Sequence, residues 1–285
     1  MTTLRMLDAL PEVMDPAPAE RAGELLDEVR AVIAPQAHEL RHTIRINKST
    51  MDRAGMCPRS LAAPNTEVSP DAVLLGNLVD LAHQVRSRCA EISSITAVEW
   101  CRLASLVSEE FGLTLQQRIE DHADWWGEAA AHLAALDAML PDRRWLTEVP
   151  VQAALAPAVI ASLRLDGLIT VDGVGCTMEL KSQHSRAESS ARNRVGDVNV
   201  GALLASTTYN LPIGVAAILV TNDASVETHR IDEAHLEVAA QRLTDATEVA
   251  IRVHHAQTLD EIPAIPGGHC AWCALAGHGC DEGAK

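Results

Sequence analysis

Aromatic side chains are scarce: five Trp, one Tyr and one Phe make up 2% of 285 residues. A stacking platform for single strands needs several aromatic faces in succession, so the chain cannot grip nucleic acid in that way. Basic residues are a minority too, with 23 Lys plus Arg against 39 Asp plus Glu and a formal net charge of −16. That balance excludes unspecific coating of nucleic acid and leaves a local basic patch as the only phosphate-facing surface. No apolar run is long enough to span a membrane as a helix. The opening stretch MTTLRMLDALPEVMDPAPAE lacks the basic-then-apolar pattern of a secretory signal, so a cytoplasmic location is expected. Seven cysteines in that compartment read as reduced thiols or metal ligands rather than disulfides. Neither an internal repeat nor a low-complexity tract is present, and 47% apolar residues suffice for a sizeable core.

Apolar positions at helical spacing (Ala22, Leu25, Leu26, Val29, Val32, Ile33) predict an amphipathic helix within residues 17–40. The next stretch, 41–59, holds five Arg or Lys against one Asp, a sign reversal that marks a candidate phosphate-facing surface. Residues 71–140 read as almost all helical, punctuated by Gly76, Gly112 and Gly127. Cys89, Cys101, Trp100, Trp125 and Trp126 are expected to pack there as core residues. From Pro141 onward the texture changes to short Val-, Ile-, Leu- and Thr-rich runs at 145–151, 158–165, 167–172 and 174–181, with Asp166-Gly167 and Asp172-Gly173 as turn signals. These predict three or four strands joined by hairpins. A helix over 184–210, a buried strand in LPIGVAAILVTN, an edge strand in ASVETHRI and a helix over 236–255 follow, and the end is loop-like. The order of helices, meander, helix, strand and helix gives the expected fold class: α/β, with helices around one mixed sheet.

In VGCTMELK, Cys176, Met178 and Leu180 alternate with Thr177, Glu179 and Lys181, so an acid and a lysine share one face of the strand. Asp166, read as the end of the preceding strand, folds back beside Glu179. Two carboxylates at one point repel unless a cation lies between them, and a hard divalent metal is the usual solution. Such a metal lowers the pKa of a bound water and supports the leaving oxygen in phosphodiester hydrolysis. A lysine beside it orients or deprotonates that water, or neutralises charge building on the phosphate.

At the other end of the chain, Cys270, Cys273 and Cys280 form C-x2-C-x6-C, three soft ligands in one short loop. A fourth ligand is needed. Cys57, in STMDRAGMCPRSL with Pro58 directly after it, is one candidate; His269 and His278 are the local alternatives and would make a zinc knuckle.

Taken together, the split cysteines, the segment KSTMDRAGMCPRSL and the segment EVPVQAALAPAVIASLRLDGLITVDGVGCTMELKS resemble one family. It is the RecB-like branch of the PD-(D/E)XK nucleases in its iron–sulfur form, known from helicase–nuclease subunits and CRISPR-associated adaptation nucleases. The resemblance covers roughly residues 45–282. It implies a nuclease core of a central mixed sheet flanked by helices, preceded by a helical segment over 1–44. Within 45–285 it implies a helical insertion at about 71–140, a catalytic hairpin over 145–182 and a cluster loop over 262–282. It further implies a [4Fe–4S] cluster on Cys57, Cys270, Cys273 and Cys280. Magnesium or manganese would be held by Asp166, Glu179, the Leu180 carbonyl and Asp80, with Lys181 placing the attacking water.

Two departures stand out. The family's helix-borne His is replaced by Asp80, with His83 three residues on along the same face. The family's Gln-x3-Tyr motif is absent, Asp197 and Gly201 lying at its place. The expected phosphate contacts are then Arg45, Lys48, Arg53, Arg59, Arg186, Arg192 and Arg194. The function so implied is a metal-dependent deoxyribonuclease, an exonuclease rather than an endonuclease, acting on single strands or duplex ends in repair, recombination or phage- and CRISPR-type defence. A helicase or integrase partner accompanies the family. The alternatives are a nuclease-derived subunit that binds DNA or a partner without cutting, and a zinc-stabilised protein of another kind.

Overall fold

The computed structural model describes residues 15–63, 71–89, 95–107, 124–140, 146–181, 188–276 and 280. The elements are α1 (Ala19–Ile33), β1 (Ile44–Ile46), α2 (Lys48–Met56), α3 (Asp71–Arg88), α4 (Ala97–Val107), α5 (Trp125–Met139), β2 (Leu146–Ala156), β3 (Val159–Val171), β4 (Val174–Lys181), α6 (Glu188–Tyr209), β5 (Ile213–Val220), β6 (Ser225–Arg230) and α7 (Glu233–His255). The fold is α/β, a mixed six-stranded sheet flanked by helices.

Every residue of β5 is buried, as its unbroken apolar run demands of a strand covered on both faces. It pairs parallel with β4 and antiparallel with the edge strand β6. On one side of the sheet, α1, α6 and α7 bury Leu26, Ile33, Leu203, Leu204 and Leu243 against Val151, Leu155, Ala216, Ile218 and Val220. On the other, the end of α5 lays Leu136 and Met139 over Cys176, Met178, Val215 and Leu219. The start of α5 belongs to a separate cluster with α3 and α4, built on Leu78, Trp100, Cys101, Trp125 and Leu133. One helix apolar on both sides, WWGEAAAHLAALDAM, thus joins the helical segment to the sheet. The helix α1 shares the core of the sheet rather than standing apart from it.

The strand β3 organises the sheet. It pairs with β2 along one edge over Val159–Leu168. Along its other edge it pairs first with β1, parallel, at Val159–Ala161, and then with β4, antiparallel, at Gly167–Val171. Between these two partners, residues 162–166 face a fork.

The reading of Asp166-Gly167 as a turn is corrected here. Both residues lie inside β3, which runs unbroken from Val159 to Val171 and replaces the two short strands expected there. Gly167 serves close approach instead of a turn: a Cβ on it would lie 2.3 Å from the Met178 Cε and 3.2 Å from its Cβ. The true hairpin turn is Asp172-Gly173, where both residues adopt positive φ (47° and 84°), as a tight hairpin requires. Nor does β4 lie at an edge of the sheet; it runs between β3 and β5.

Candidate active site

A cleft opens at the fork. Arg45 and Asn47, Lys48 and Ser49 at the start of α2 line one side. Ser162 to Leu165 of β3, Thr177 to Glu179 of β4 and Asp197, Val198 and Gly201 of α6 line the rest. The β3–β4 register sets Gly167 opposite Met178 and so carries Asp166 to the level of Glu179.

Asp166 accepts a hydrogen bond from the Leu180 N–H at 2.6 Å. Burial, then the charges of Glu179 and Asp80, push its carboxyl well above the ordinary range. Three carboxylates, Asp80, Glu148 and Asp166, offer oxygens that all lie within 4.8 Å of one another. Asp80 comes from α3 and Glu148 from the start of β2, and Gln84 bridges them, donating to Asp80 at 3.0 Å and Glu148 at 2.9 Å. The other Asp80 oxygen, Oδ1, is buried with no hydrogen-bond partner. Burial and the neighbouring Glu148 raise the Asp80 pKa to about 7. Arg164 pairs with Glu148 at 2.5 Å from the solvent side.

Glu179 keeps different company. Its Oε1 meets both the Lys48 and the Lys181 ammonium groups. Burial opposes its charge, but the two lysines outweigh burial and hold its pKa below the ordinary range. Lys48 also lies 3.7 Å from Asp197, which Arg242 of α7 grips at 2.7 Å while reaching Asp52 of α2 at 2.9 Å. Burial raises Asp197 to about 6, although Lys48 and Arg242 pull the other way.

Of the sequence-predicted residues, Asp80, Asp166, Glu179 and Lys181 come together, with differences in their partners. Glu148, not expected as a ligand, stands beside Asp80 and Asp166, whereas Glu179 is engaged by lysines. Leu180, expected to offer its carbonyl to the metal, donates its amide N–H to Asp166. Arg53 and Arg59, expected to face phosphate, are engaged by backbone carbonyls: Arg53 donates to the Ala63 and Ser60 carbonyls, and Arg59 to the Ile262 carbonyl at 2.9 Å. His83 lies on α3 beside Arg86, outside the carboxylate group. Arg45 is exposed at the cleft. Arg186, His278 and Gly112 lie outside the described residues, as do the side chains of Arg192 and Arg194.

The donor set of three carboxylates fits a hard cation such as magnesium or manganese. Its unpartnered buried Asp80 oxygen is the kind of atom a bound ion satisfies. Asp80→Ala is accordingly expected to weaken manganese binding by about tenfold or more and His83→Ala to change it little, as read by calorimetric titration. The reverse ranking would put the ligand one turn further along α3.

Some distance along the chain from this cleft, Cys57, Cys270, Cys273 and Cys280 line a single pocket with Ala264, Ile265 and Leu275. The Ile265 N–H donates to the Cys57 sulfur and the Gly267 N–H to the Cys270 sulfur, each at 3.4 Å. Cys89, Cys101 and Cys176 pack in apolar clusters elsewhere.

No protein-family model matches the chain, and no curated protein matches it. Among the solved structures that do is the crystal structure of SSO0001, with 12% sequence identity, a TM-score of 0.40 and coverage of 91% of this chain and 95% of that one. A likeness at that level assigns neither family nor activity. Among the described residues, no helix is long and apolar enough to cross a membrane.

Proposed function

We propose that the protein is a divalent-metal-dependent deoxyribonuclease of the RecB-like PD-(D/E)XK kind, with a structural [4Fe–4S] cluster. The observation that carries this reading is the convergence at one fork of Asp80, Glu148 and Asp166 with Glu179 and Lys181. Asp80, Glu148 and Asp166 would hold the cation, with Glu179 beside them paired to its lysines. With all three ionised, as a bound cation would keep them, the carboxylates and Arg164 sum to a formal charge of −2, which one divalent ion cancels. When bound, that ion lowers the pKa of its water and supports charge on the phosphate. Lys181 directs the attacking water, and Glu179 fixes the lysine for that task. Arg45 and Arg164, on the open side of the cleft, receive the flanking phosphates.

For the cluster, the supporting points are four thiols around one pocket and amide donors to two of the sulfurs. Thiolates suit iron–sulfur chemistry, and amide hydrogen bonds to the sulfur are one of the means by which a protein tunes it.

The test uses anaerobically purified protein and labelled single- and double-stranded DNA with magnesium or manganese. Cleavage abolished by EDTA is expected. A wild type that binds DNA but cuts neither substrate under either metal would replace this reading with a binding subunit derived from a nuclease.

A further inference from the structure

The nuclease reading needs one lysine beside the metal carboxylates, and the structure supplies two. Lys48 and Lys181 meet the same oxygen of Glu179, Lys48 from the start of α2 and Lys181 from the end of β4. Three features separate Lys48 from an ordinary surface lysine. It opens a nine-residue helix whose cap is Asn47, with the Thr50 N–H donating to the Asn47 side chain at 2.8 Å. A cation there opposes the helix dipole, so the position is a poor one for helix stability. Its side chain is 35% exposed and lines the cleft, although its ammonium already has Glu179 and lies near Asp197. An ammonium has three donors, and those two partners leave one for a ligand in the cleft.

The second feature is the tie behind it. Arg242 of α7 reaches Asp197 of α6 at 2.7 Å and Asp52 of α2 at 2.9 Å. Asp52 lies one turn beyond Lys48 on the same helix. One guanidinium thereby fixes both the helix that carries Lys48 and the carboxylate beside its ammonium. The third is Gly196. Glycine inside a helix costs about 1 kcal/mol relative to alanine, yet a Cβ here would stand 2.7 Å from the Arg242 Nη1 and 3.0 Å from its Cδ. The helix gives up propensity where the arginine passes.

We propose that Lys48 is a second catalytic lysine, whose ammonium contacts the phosphate that is cleaved, and that Asp197 and Arg242 position it. The assignment rests on the nuclease reading. In this chain Asp197 thus serves the substrate phosphate through Lys48.

The test compares full-length Lys48→Gln, Lys48→Ala, Asp197→Asn and the double variant Lys48→Ala/Asp197→Asn. Affinity for a fluorescent single-stranded oligonucleotide is measured in calcium across a salt series, and cleavage in manganese, with melting temperature as the folding control. Glu179 keeps Lys181 in every one of these variants, so its buried charge stays paired and the fold should hold. Lys48→Gln and Lys48→Ala are expected to lower kcat by about 10²-fold and to reduce the salt slope of binding by about one. Asp197→Asn is expected to slow cleavage by about tenfold alone and by nothing further in the Lys48→Ala background, since it acts through the lysine. Wild-type kcat and salt slope in both Lys48 variants would overturn the proposal, and so would additive losses in the double variant. If the wild type neither cleaves nor binds, the nuclease reading falls as well; if it cleaves and Lys48 is indifferent, only this inference falls.

Discussion

Lys181→Ala is expected to yield a folded protein that binds DNA nearly as the wild type does and cleaves it about 10²–10⁴-fold more slowly. The fold should survive because Glu179, which would otherwise be left as a buried unpaired carboxylate, retains Lys48. Affinity should survive because the groups facing the flanking phosphates, Arg45 and Arg164, are untouched. What goes is the donor that acts on the chemical step alone, so kcat falls while KM moves little. The paired variant Lys48→Ala/Lys181→Ala removes both counter-charges from a carboxylate that is only 14% exposed. That change is expected to lower the melting temperature as well, since an uncompensated buried charge costs about 3–5 kcal/mol of stability. A Lys181→Ala protein cutting at the wild-type rate would remove Lys181 from the mechanism.

Cys57→Ala carries the other large effect. Cys57 ends α2 and stands 213 positions before Cys270. Closing a loop of that length through a metal cluster constrains the unfolded chain by about 5 kcal/mol at most. Backbone ties between the same segments, Arg59 N–H to the Pro263 carbonyl at 3.2 Å and Arg59 Nε to the Ile262 carbonyl at 2.9 Å, hold part of the arrangement without metal. A melting temperature lower by roughly 10 °C is therefore expected, together with loss of brown colour and of about four irons per chain. Cys101→Ala, which sits in the α3–α4–α5 cluster, should keep the colour and lose only packing energy. A colourless wild type with one zinc per chain would defeat the cluster and leave the zinc alternative.

Where the signal was local, the sequence was readable. The all-apolar run of β5, the alternation in β4 and the helical spacing of α7 each stand in the structure within a few residues of their expected limits, while α1 starts as expected and ends at Ile33, seven residues early. The strand β1 went unread because three residues are too short to show a period, and they lie in a stretch that draws attention through charge. Yet β1 is what makes the fork, by taking the part of the β3 edge that β4 does not reach. Glu148 was visible only as the first acid of a strand; its φ of 54° takes it out of simple alternation, so the face it serves cannot be counted from the pattern. Asp166-Gly167 carries the chemistry of a turn, but Gly167 is paired on both edges, with Thr147 of β2 and Met178 of β4, and the chain runs straight there. Arg53 and Arg59 look like solvated charge, but the carbonyls that hold them belong to a 3₁₀ segment and to residues some 200 positions away.

The helix α7 has a cost that only synthesis reveals. It packs against α1, α2, α6 and β1, and so covers elements made long before it. From Ile33 to His255 the ribosome adds 222 residues, roughly 10–45 s of translation at about 5–20 residues per second. For that interval the faces of α1 and α2 that α7 will cover lack it, and α6, which also packs on α1, is made only from Glu188 onward. A nascent chain halted before α7 is complete would present this apolar face to its surroundings, which makes the emerging polypeptide, rather than the finished fold, the form most in need of a chaperone.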